Sequence, residues 1–361
     1  MSEQNGDRRE HGKHPYRRPK PIQRVHGFFT GNVGGSRAQS SDSTRARPTE
    51  TRRTQLKPSV CTCQLPASRK ALADVAKETL AVLPFILKDL PHIQADVSEM
   101  LSYDSLPALK REDCPNHSQA IVRVINEDTY DAAINLINST SSTSAPKAPL
   151  GSQTTSVPLT SRPAVLNLAS DKIPGGGWVR GALAQEEALC YRSSLSLSLH
   201  ESHYPWSPKQ GLYTRDVVIF RSSLGEGHRL LAPATPAADL PVVSVVSVAA
   251  IQDPKLFTTK TAIGDSVKVF ANNNDKQLTK QKMRLALRIA ASRGHDRLIL
   301  GALGCGAYNN PAGEIADAWV KVLTEPEFSG GWWKEVWFAI IDSKHGVNFN
   351  VFKGILDGLQ I

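Results

Sequence analysis

The 361-residue chain has few cysteines and no long apolar run. Its five cysteines are odd in number and scattered, which argues against a disulfide framework and fits a reducing compartment. Cys61 and Cys63 lack a second pair at zinc-finger spacing, so we expect no structural zinc site. The best apolar run, 241–251, is much shorter than the roughly 20 residues of a membrane span and predicts a buried strand.

The first 25 residues are polar and basic, without the apolar core of a secretory signal. Together with the cysteine usage, this predicts an intracellular protein, nuclear or cytoplasmic or both, with no membrane contact.

The net charge of +9 is concentrated at one end of the chain. Residues 1–70 contain 15 Lys and Arg against 5 Asp and Glu, whereas the other residues contain 28 against 29. The N-terminal segment has few apolar residues whose burial could compensate for the conformational entropy lost on ordering. We therefore predict a disordered basic tail over 1–66. The tail is either a solvated extension or an electrostatic contact for a polyanion, with 17–20 as a candidate nuclear-import cluster.

Helices and strands alternate from Ser68 onward, and Ser68 is predicted to cap a helix over 69–83 that Pro84 kinks or ends. Strands are predicted at 120–126, 164–168, 217–221, 241–251, 297–300 and 336–341, and helices at 130–137, 185–199, 275–293, 314–323 and 349–356. This alternation favours an α/β sandwich with a mixed sheet. The uncharged Ser/Thr/Pro-rich segment 138–160 is either a flexible loop within the domain, which we favour, or a linker.

A glycine-rich loop follows the predicted strand 164–168. It carries Gly175, Gly176 and Gly177, and Gln185-Glu186-Glu187 follows after seven intervening residues. Consecutive glycines are useful where the backbone must approach a ligand closely or adopt a positive φ. The loop also leaves the carboxyl end of a strand, where open α/β sheets bind ligands.

The adjacent Glu186 and Glu187 allow two interpretations. A charged first helical turn gains from the helix macrodipole, and this alone explains such a pair. Alternatively, one carboxylate transfers a proton while the other orients substrate hydroxyls.

A second glycine-rich loop lies between the predicted strand 297–300 and the helix 314–323. Its glycines expose backbone N–H groups suited to a diphosphate, and Tyr308 can place its ring against a sugar or base. Cys305 has no histidine partner nearby, so we interpret it as a small packing residue rather than a nucleophile.

The two loops together resemble those of the poly(ADP-ribose) glycohydrolases. Asn-Leu-Ala-Ser at 167–170, the triple glycine and the correctly spaced Gln-Glu-Glu match the signature of that family, and Gly-Ala-Leu-Gly-Cys-Gly-Ala-Tyr at 301–308 is similar to its diphosphate loop. The likeness is greatest to the shorter, microbial-type branch found in bacteria and fungi, and it covers roughly residues 67–358.

The resemblance implies a three-layer α/β/α macrodomain-like fold over 67–361, with a mixed central sheet and an N-terminal helical extension. It assigns Glu187 as the catalytic acid and places Glu186 beside the reacting ribose. It also implies a set of substrate-binding residues: Asn167, Gly175, Gly176, Gly177, Gln185, Gly304, Cys305, Gly306, Ala307 and Tyr308. Many family members carry Phe where this chain has Tyr308.

The implied reaction is hydrolysis of ribose–ribose bonds in poly(ADP-ribose), with Glu187 protonating the leaving oxygen and then accepting a proton from water. No metal or other cofactor is expected. The substrate is the polymer or an ADP-ribosylated protein, and we expect a monomer. Two alternatives stay open: hydrolysis of mono-ADP-ribose linkages by the same fold, and a reader that binds ADP-ribose without cleaving it.

Overall fold

The structure, a computed structural model, describes residues 68–141, 162–260, 264–342 and 346–361. All of these belong to one compact unit, 62–361. The predicted tail over 1–66 and all but the first residues of the predicted loop over 138–160 lie outside the described ranges.

The secondary structure of the described ranges alternates helices and strands. The helices are α1 (Arg69–Lys88), α2 (Thr129–Ser141), α3 (Gln185–Arg192), α4 (Asn273–Ser292), α5 (Ala312–Leu323) and α6 (Asn348–Leu356). The strands are β1 (Ser98–Ser102), β2 (Val122–Ile125), β3 (Ala164–Leu168), β4 (Gln210–Val218), β5 (Val242–Val248), β6 (Leu256–Lys260), β7 (Ser266–Phe270), β8 (Arg297–Leu300) and β9 (Glu335–Ala339).

Seven strands form one mixed sheet in the order β1-β4-β5-β3-β8-β9-β2. The five strands from β5 to β2 are parallel, whereas β4 pairs antiparallel with β5 and β1 antiparallel with β4. The central strands β3 and β8 are neighbours, so the loops that follow them leave the same edge of the sheet side by side. This edge is where ligands bind in open α/β sheets.

Helices cover both faces of the sheet. Alternate residues of β3 point to opposite faces, and each face has its own buried apolar cluster. One cluster joins the sheet to α1, α2 and α3, with Leu72, Tyr130, Val165 and Leu189 among its members. The other joins it to α4, α5 and α6, with Leu166, Met283, Ile315 and Phe352. The predicted three-layer α/β/α arrangement with a mixed central sheet is therefore confirmed, with α1 as the N-terminal helix.

Helix α1 continues through Pro84 to Lys88, so the prediction that Pro84 ends it was wrong. Leu83 and Ile86, on either side of the proline, are buried in a third apolar cluster, which holds the helix together despite the missing N–H. The predicted cap is confirmed, since the Ser68 hydroxyl accepts a hydrogen bond from the Ala71 N–H at 3.1 Å.

Two other predicted boundaries need correction. Helix α3 ends at Arg192 rather than at residue 199, because Ser193 is extended and the Ser194 N–H donates to the Val218 carbonyl at 3.1 Å. The hydroxyls also bind backbone groups: Ser193 Oγ donates to the Leu189 carbonyl at 2.8 Å, and Ser194 Oγ accepts from the Val218 N–H at 3.0 Å. Serine side chains that compete for backbone groups in this way stop helices. Helix α2 continues to Ser141, into the predicted loop, and its Ser139 hydroxyl donates to the Leu136 carbonyl near the helix end.

The sequence pattern missed three strands and misplaced a fourth. Strand β1 carries polar residues on both faces and is half-buried. Strands β6 and β7 lie largely exposed, and the alternation of Val267 and Val269 in β7 is too short to distinguish a strand from a surface loop. Strand β4 covers Gln210–Val218 rather than 217–221, because its buried Asp216, paired with Arg162, hides the strand pattern.

A buried arginine fixes the helix that carries the glutamate pair. Arg192, the last residue of α3, is ion-paired with Asp128 and with Asp131 at 2.6 Å, both at the start of α2. Its Nε also donates to the Arg221 carbonyl at 3.1 Å. Helix α3 is therefore tied to two other elements at its C-terminal end.

We predict that Arg192→Ala lowers the free energy of unfolding by about 3 kcal/mol, because it removes a buried side chain and leaves the half-buried Asp128 and Asp131 carboxylates without their counter-charge. Chemical denaturation measures this loss. The control is Lys77→Ala, which removes an exposed pair with Asp74 and should cost less than about 1 kcal/mol. Equal losses in the two variants would contradict the role given to Arg192.

Candidate active site

A cavity of about 760 Å³ opens at the carboxyl edge of the sheet, a volume within the range of small-molecule sites. Its lining brings together residues of both glycine-rich loops and of the first turn of α3: Gly176, Gly177, Gln185, Glu186, Glu187, Gly304, Gly306, Ala307 and Tyr308. Three further predicted residues do not line it. Asn167 is fully buried behind Glu186, Gly175 packs inward, and Cys305 is half-buried beneath its loop.

The triple glycine wraps around the Glu187 carboxylate. The Gly177 N–H donates to Glu187 Oε1 at 2.9 Å. Gly176 has a φ of +60°, and a β-carbon built on it would lie 2.5 Å from the same oxygen. Position 176 therefore requires glycine for two reasons: its positive φ, and the space beside it that the Glu187 carboxylate occupies.

Gly175 serves the packing beneath the loop. Its φ is +65°, and a β-carbon there would lie 2.8 Å from Trp178 Cδ1 and 3.0 Å from Cys190 Sγ. Both neighbours are buried in the apolar cluster on the α3 face of the sheet. The first glycine therefore lets the loop lie directly on the core.

Glu186 is held at both carboxylate oxygens. Its Oε2 accepts from the Ser170 N–H at 2.8 Å, and its Oε1 accepts from Asn167 Nδ2 at 3.3 Å. Burial raises the pKa of Glu186 to about 8; the two hydrogen bonds oppose this shift, and the neighbouring Glu187 charge adds to it. Glu186 therefore keeps its proton at neutral pH.

Neither glutamate faces bulk solvent: the exposed fractions are 3% for Glu186 and 8% for Glu187. Stabilisation by the helix macrodipole, worth about 0.3–1 kcal/mol for an exposed carboxylate, does not account for burying two of them. The alternative of a solvated charged first turn is therefore excluded by the geometry.

The Gln185 side chain joins α3 to the end of β3. Its Oε1 accepts from the Leu168 N–H and its Nε2 donates to the Leu166 carbonyl, both at 2.8 Å. Nε2 also lies 3.3 Å from Thr129 Oγ1 on α2. Although Gln185 lines the cavity, its amide is used mainly to position the first turn of α3.

The second loop is open toward the cavity. Gly304 has a φ of +75°, and a β-carbon there would lie 2.5 Å from Ala250 Cβ, so this glycine allows close packing on the end of β5. Gly306 has open space around it. The N–H groups of Gly306, Ala307 and Tyr308 donate to no residue within the described ranges, so they are free to bind an anion.

The side chains of this loop support one earlier interpretation. Burial raises the pKa of the Cys305 thiol, which favours a packing role over that of a nucleophile. Burial also raises the pKa of the Tyr308 phenol, and the nearby Ser170 side chain opposes the shift. The phenol of Tyr308 therefore lies near the first loop.

Sequence reasoning missed two residues of this site. Arg180 lines the cavity, and the Ser170 backbone holds Glu186. Only the position of Arg180 shortly after the triple glycine could have drawn attention to it. No group of three or more His, Cys, Asp or Glu side chains in the described part of the chain is arranged to hold a metal ion.

We predict that Gly176→Ala abolishes activity while leaving a folded protein, because the added methyl displaces the Glu187 carboxylate. Activity assays and thermal unfolding measure the two effects. The control is Gly313→Ala, at an open position in α5, which should stabilise the protein by about 0.5–1 kcal/mol and leave activity unchanged. Retention of activity in Gly176→Ala would contradict the close approach.

A second prediction concerns stability and pH. The pKa of Glu186 is about 8 in the folded protein and 4.5 in the unfolded chain. Between these two pH values the carboxyl ionises only in the unfolded chain, so the free energy of unfolding falls as the pH rises. Glu186→Gln removes this effect, and the new amide N–H can donate a hydrogen bond to Asn167 Oδ1, which has no partner among the described residues. We expect the stability of Glu186→Gln relative to wild type to grow by a few kcal/mol from pH 5 to 8 and then level off.

Denaturant titrations at several pH values test this prediction. Glu226→Gln, which changes an exposed carboxylate paired with Arg229, is the control and should show no such growth. A constant difference between Glu186→Gln and wild type from pH 5 to 8 would show that Glu186 is not held protonated.

Part of the chain matches a known protein family. Residues 87–223, which include the triple glycine and both glutamates, match the family model described as "Microbial-type PARG, catalytic domain". No curated protein sequence matches the chain. Within the described residues, no helix has the length and apolar character needed to cross a membrane.

Solved structures of two enzymes share the fold. Poly(ADP-ribose) glycohydrolase from Thermomonospora curvata is 23% identical, with a TM-score of 0.58 over 79% of this chain and 99% of that chain; the same enzyme bound to the inhibitor ADP-HPD gives the same values. The enzyme from Deinococcus radiodurans in complex with ADP-ribose is 23% identical, with a TM-score of 0.52 over 72% of this chain and 93% of that chain. The family model and this shared fold together confirm the resemblance of the chain to the microbial-type poly(ADP-ribose) glycohydrolases.

Proposed function

We propose that residues 67–361 form a hydrolase domain that cleaves the ribose–ribose O-glycosidic bonds of poly(ADP-ribose) and releases ADP-ribose. The observation that carries this proposal is the buried glutamate pair in the wall of the cavity, with Glu187 held by the Gly177 N–H. The match to the microbial-type family over residues 87–223 supports the same activity.

In this proposal the second loop binds the diphosphate of the terminal ADP-ribose unit. The free N–H groups of Gly306, Ala307 and Tyr308 point to an anion site at the start of α5. Among the Lys and Arg residues in the described ranges, only Arg180 lines the cavity, so backbone donors supply most of the binding to the phosphates. Gly304 and Cys305 shape the loop beneath them.

Glu187 is the proposed proton donor to the leaving oxygen. Its Oε1 is fixed by the Gly177 N–H, whereas no described residue binds its Oε2. Glu186, in contrast, has partners on both oxygens. A general acid needs one oxygen within hydrogen-bond reach of the group that it protonates, and Glu187 meets this requirement better.

Glu186 stays neutral beside Glu187 in this proposal. Burial and the neighbouring Glu187 charge raise the pKa of Glu186, so Glu186 keeps its own proton. In our proposal Glu187 donates its proton when the glycosidic oxygen leaves. The carboxylate that Glu187 then becomes stabilises the oxocarbenium-like centre that forms at the anomeric carbon.

The catalytic cycle then needs one water molecule. As the C–O bond breaks, the Glu187 proton passes to the ribose oxygen of the departing unit. Glu187 next accepts a proton from the water that attacks the anomeric carbon, and the site returns to its starting state. General acid–base catalysis of this kind contributes about 10²–10⁴-fold to the rate.

The geometry favours an enzyme over an ADP-ribose reader. Burying two carboxylates destabilises the fold, and binding a negatively charged ligand gains nothing from them. Such a cost is typical of a site whose function is chemistry rather than binding. The choice between polymer and mono-ADP-ribose linkages depends on the groups beyond the scissile bond.

The basic segment 1–66 lies outside the described residues, and its proposed role rests on charge alone. We propose that it contacts a polyanion, either the polymer itself or a nucleic acid, and that the hydrolase acts as a monomer in the nucleus or cytoplasm. An electrostatic contact of this kind weakens as salt concentration rises.

Release of ADP-ribose from automodified polymer tests the proposed function. We predict that Glu187→Gln lowers kcat by about 10²–10⁴-fold while ADP-ribose still binds, because the acid is lost and the loops are intact. Glu226→Gln, which changes an exposed carboxylate away from the cavity, is the matched control and should have wild-type activity.

Three outcomes would contradict the proposal. Equal rates for wild type and Glu187→Gln would remove Glu187 from the mechanism. Binding of ADP-ribose without release from any substrate would identify a reader. Release only from mono-ADP-ribosylated protein would identify the alternative hydrolase.

A further inference from the structure

The cavity contains one cationic side chain that the mechanism above does not use. Arg180 lines the cavity and is exposed, and no carboxylate of the described residues lies within ion-pair distance of it. The four acidic residues of the lining are Glu127, Asp128, Glu186 and Glu187, of which Asp128 is neutralised by Arg192. An exposed, unpaired arginine at the wall of an acidic cavity is suited to bind an anionic group of a ligand.

The backbone around Arg180 is rigid, although its side chain is free. The Arg180 N–H donates to the Gly177 carbonyl at 2.9 Å within a short 3-10 helix. Gly181 follows with a φ of +77° and lies against the backbone of Arg69 at the start of α1, where any β-carbon would clash. The side chain of Arg180 therefore starts from a fixed backbone position, and its guanidinium is free to reach a ligand.

That position is at the catalytic end of the cavity. A β-carbon built on Gly177 would lie 3.9 Å from Arg180 Nη2 and 3.7 Å from Glu187 Oε1, so both groups flank Gly177. The proposed diphosphate loop is a separate part of the wall, and the first-loop residue near its Tyr308 is Ser170, at the other end of the first loop from Gly177. Arg180 is thus placed beside the scissile bond rather than beside the free N–H groups of the second loop.

The chemistry of the polymer provides an anion at this point. Protonation by Glu187 releases a hydroxyl of the ribose in the next unit, and that ribose carries its own diphosphate only a few bonds away. A mono-ADP-ribosylated protein has an amino-acid side chain there and no phosphate. The cation and the substrate therefore match only when the substrate is a polymer.

We propose that Arg180 forms a phosphate subsite for the unit on the leaving side of the scissile bond, and that this subsite gives the cavity a preference for polymer over protein-linked ADP-ribose. The inference rests on the proposed function, which determines the side of Glu187 on which the departing unit lies. The ligand class is a nucleoside diphosphate attached through its ribose to the departing oxygen.

The binding test uses the Glu187→Gln background, which keeps substrate intact, and two probes: free ADP-ribose and a dimer of ADP-ribose. We expect Arg180→Ala to weaken dimer binding about tenfold, the size of one lost charge-assisted contact, and to change ADP-ribose binding less than about twofold. Arg180→Lys should recover part of the loss, since it keeps the charge but not the planar fork. Lys321→Ala, at an exposed position outside the cavity, is the control.

The kinetic test uses an otherwise wild-type enzyme and two substrates, the polymer and an ADP-ribosyl aryl glycoside whose leaving group has no phosphate. Arg180→Ala should raise KM for the polymer about tenfold, with kcat little changed, and should leave hydrolysis of the aryl glycoside unaffected. Higher salt should reduce the difference between wild type and Arg180→Ala on the polymer.

Equal weakening of ADP-ribose and dimer would overturn the proposal, because Arg180 would then bind the terminal unit. The absence of any weakening would overturn it as well. These outcomes are separate from failure of the proposed function: if wild type released no ADP-ribose from polymer while Arg180→Ala still weakened dimer binding selectively, the hydrolysis would be refuted and the phosphate subsite retained.

Discussion

The contact between the Gly177 N–H and the Glu187 carboxylate is the interaction on which the rest of the site depends. It fixes one oxygen of a carboxylate that is almost completely buried, and it leaves the other available to a substrate. The contact requires a backbone that approaches the carboxylate more closely than any side chain would allow. The triple glycine is therefore explained by the position of an acid as much as by the approach of a ligand.

Holding two carboxylates out of water imposes a constraint that the surrounding fold meets. Gln185 fixes the first turn of α3 to the end of β3, and Arg192 fixes its last residue to α2. Asn167 and the Ser170 backbone then hold Glu186. Each of these contacts limits the movement of the glutamates, so the positional accuracy that general acid catalysis needs comes from the core strands rather than from the loops alone.

Local sequence patterns predicted the parts of the fold that are buried and regular. Strands β3 and β8 are apolar and lie between helices, and their predicted bounds are those observed. The exposed hairpin of β6 and β7 was missed because it buries few apolar side chains, and the Val267–Val269 alternation of β7 is too short to predict a strand. The end of α3 was missed because Ser193 and Ser194 bind β4, a contact distant in sequence.

The candidate site, like the fold, was predicted from the sequence only in part. The spacing of the glycines and glutamates predicted which residues come together, because the carboxyl ends of parallel strands share one edge of the sheet. The sequence could not show that Glu186 and Glu187 differ, since the raised pKa of Glu186 follows from its burial and from its neighbours. Nor could it show that Gln185 contacts backbone, or that Arg180 has no counter-ion among the residues that the structure describes.

The most direct test of this account is a crystal structure of the protein with ADP-ribose bound. The account predicts that the anomeric carbon of the terminal ribose lies beside Glu187, with Oε2 within hydrogen-bond reach, about 2.6–3.2 Å, of the anomeric hydroxyl, and with the diphosphate on the N–H groups of Gly306 and Ala307. A ligand bound elsewhere on the chain, or a Glu187 carboxylate turned away from that ribose, would contradict it.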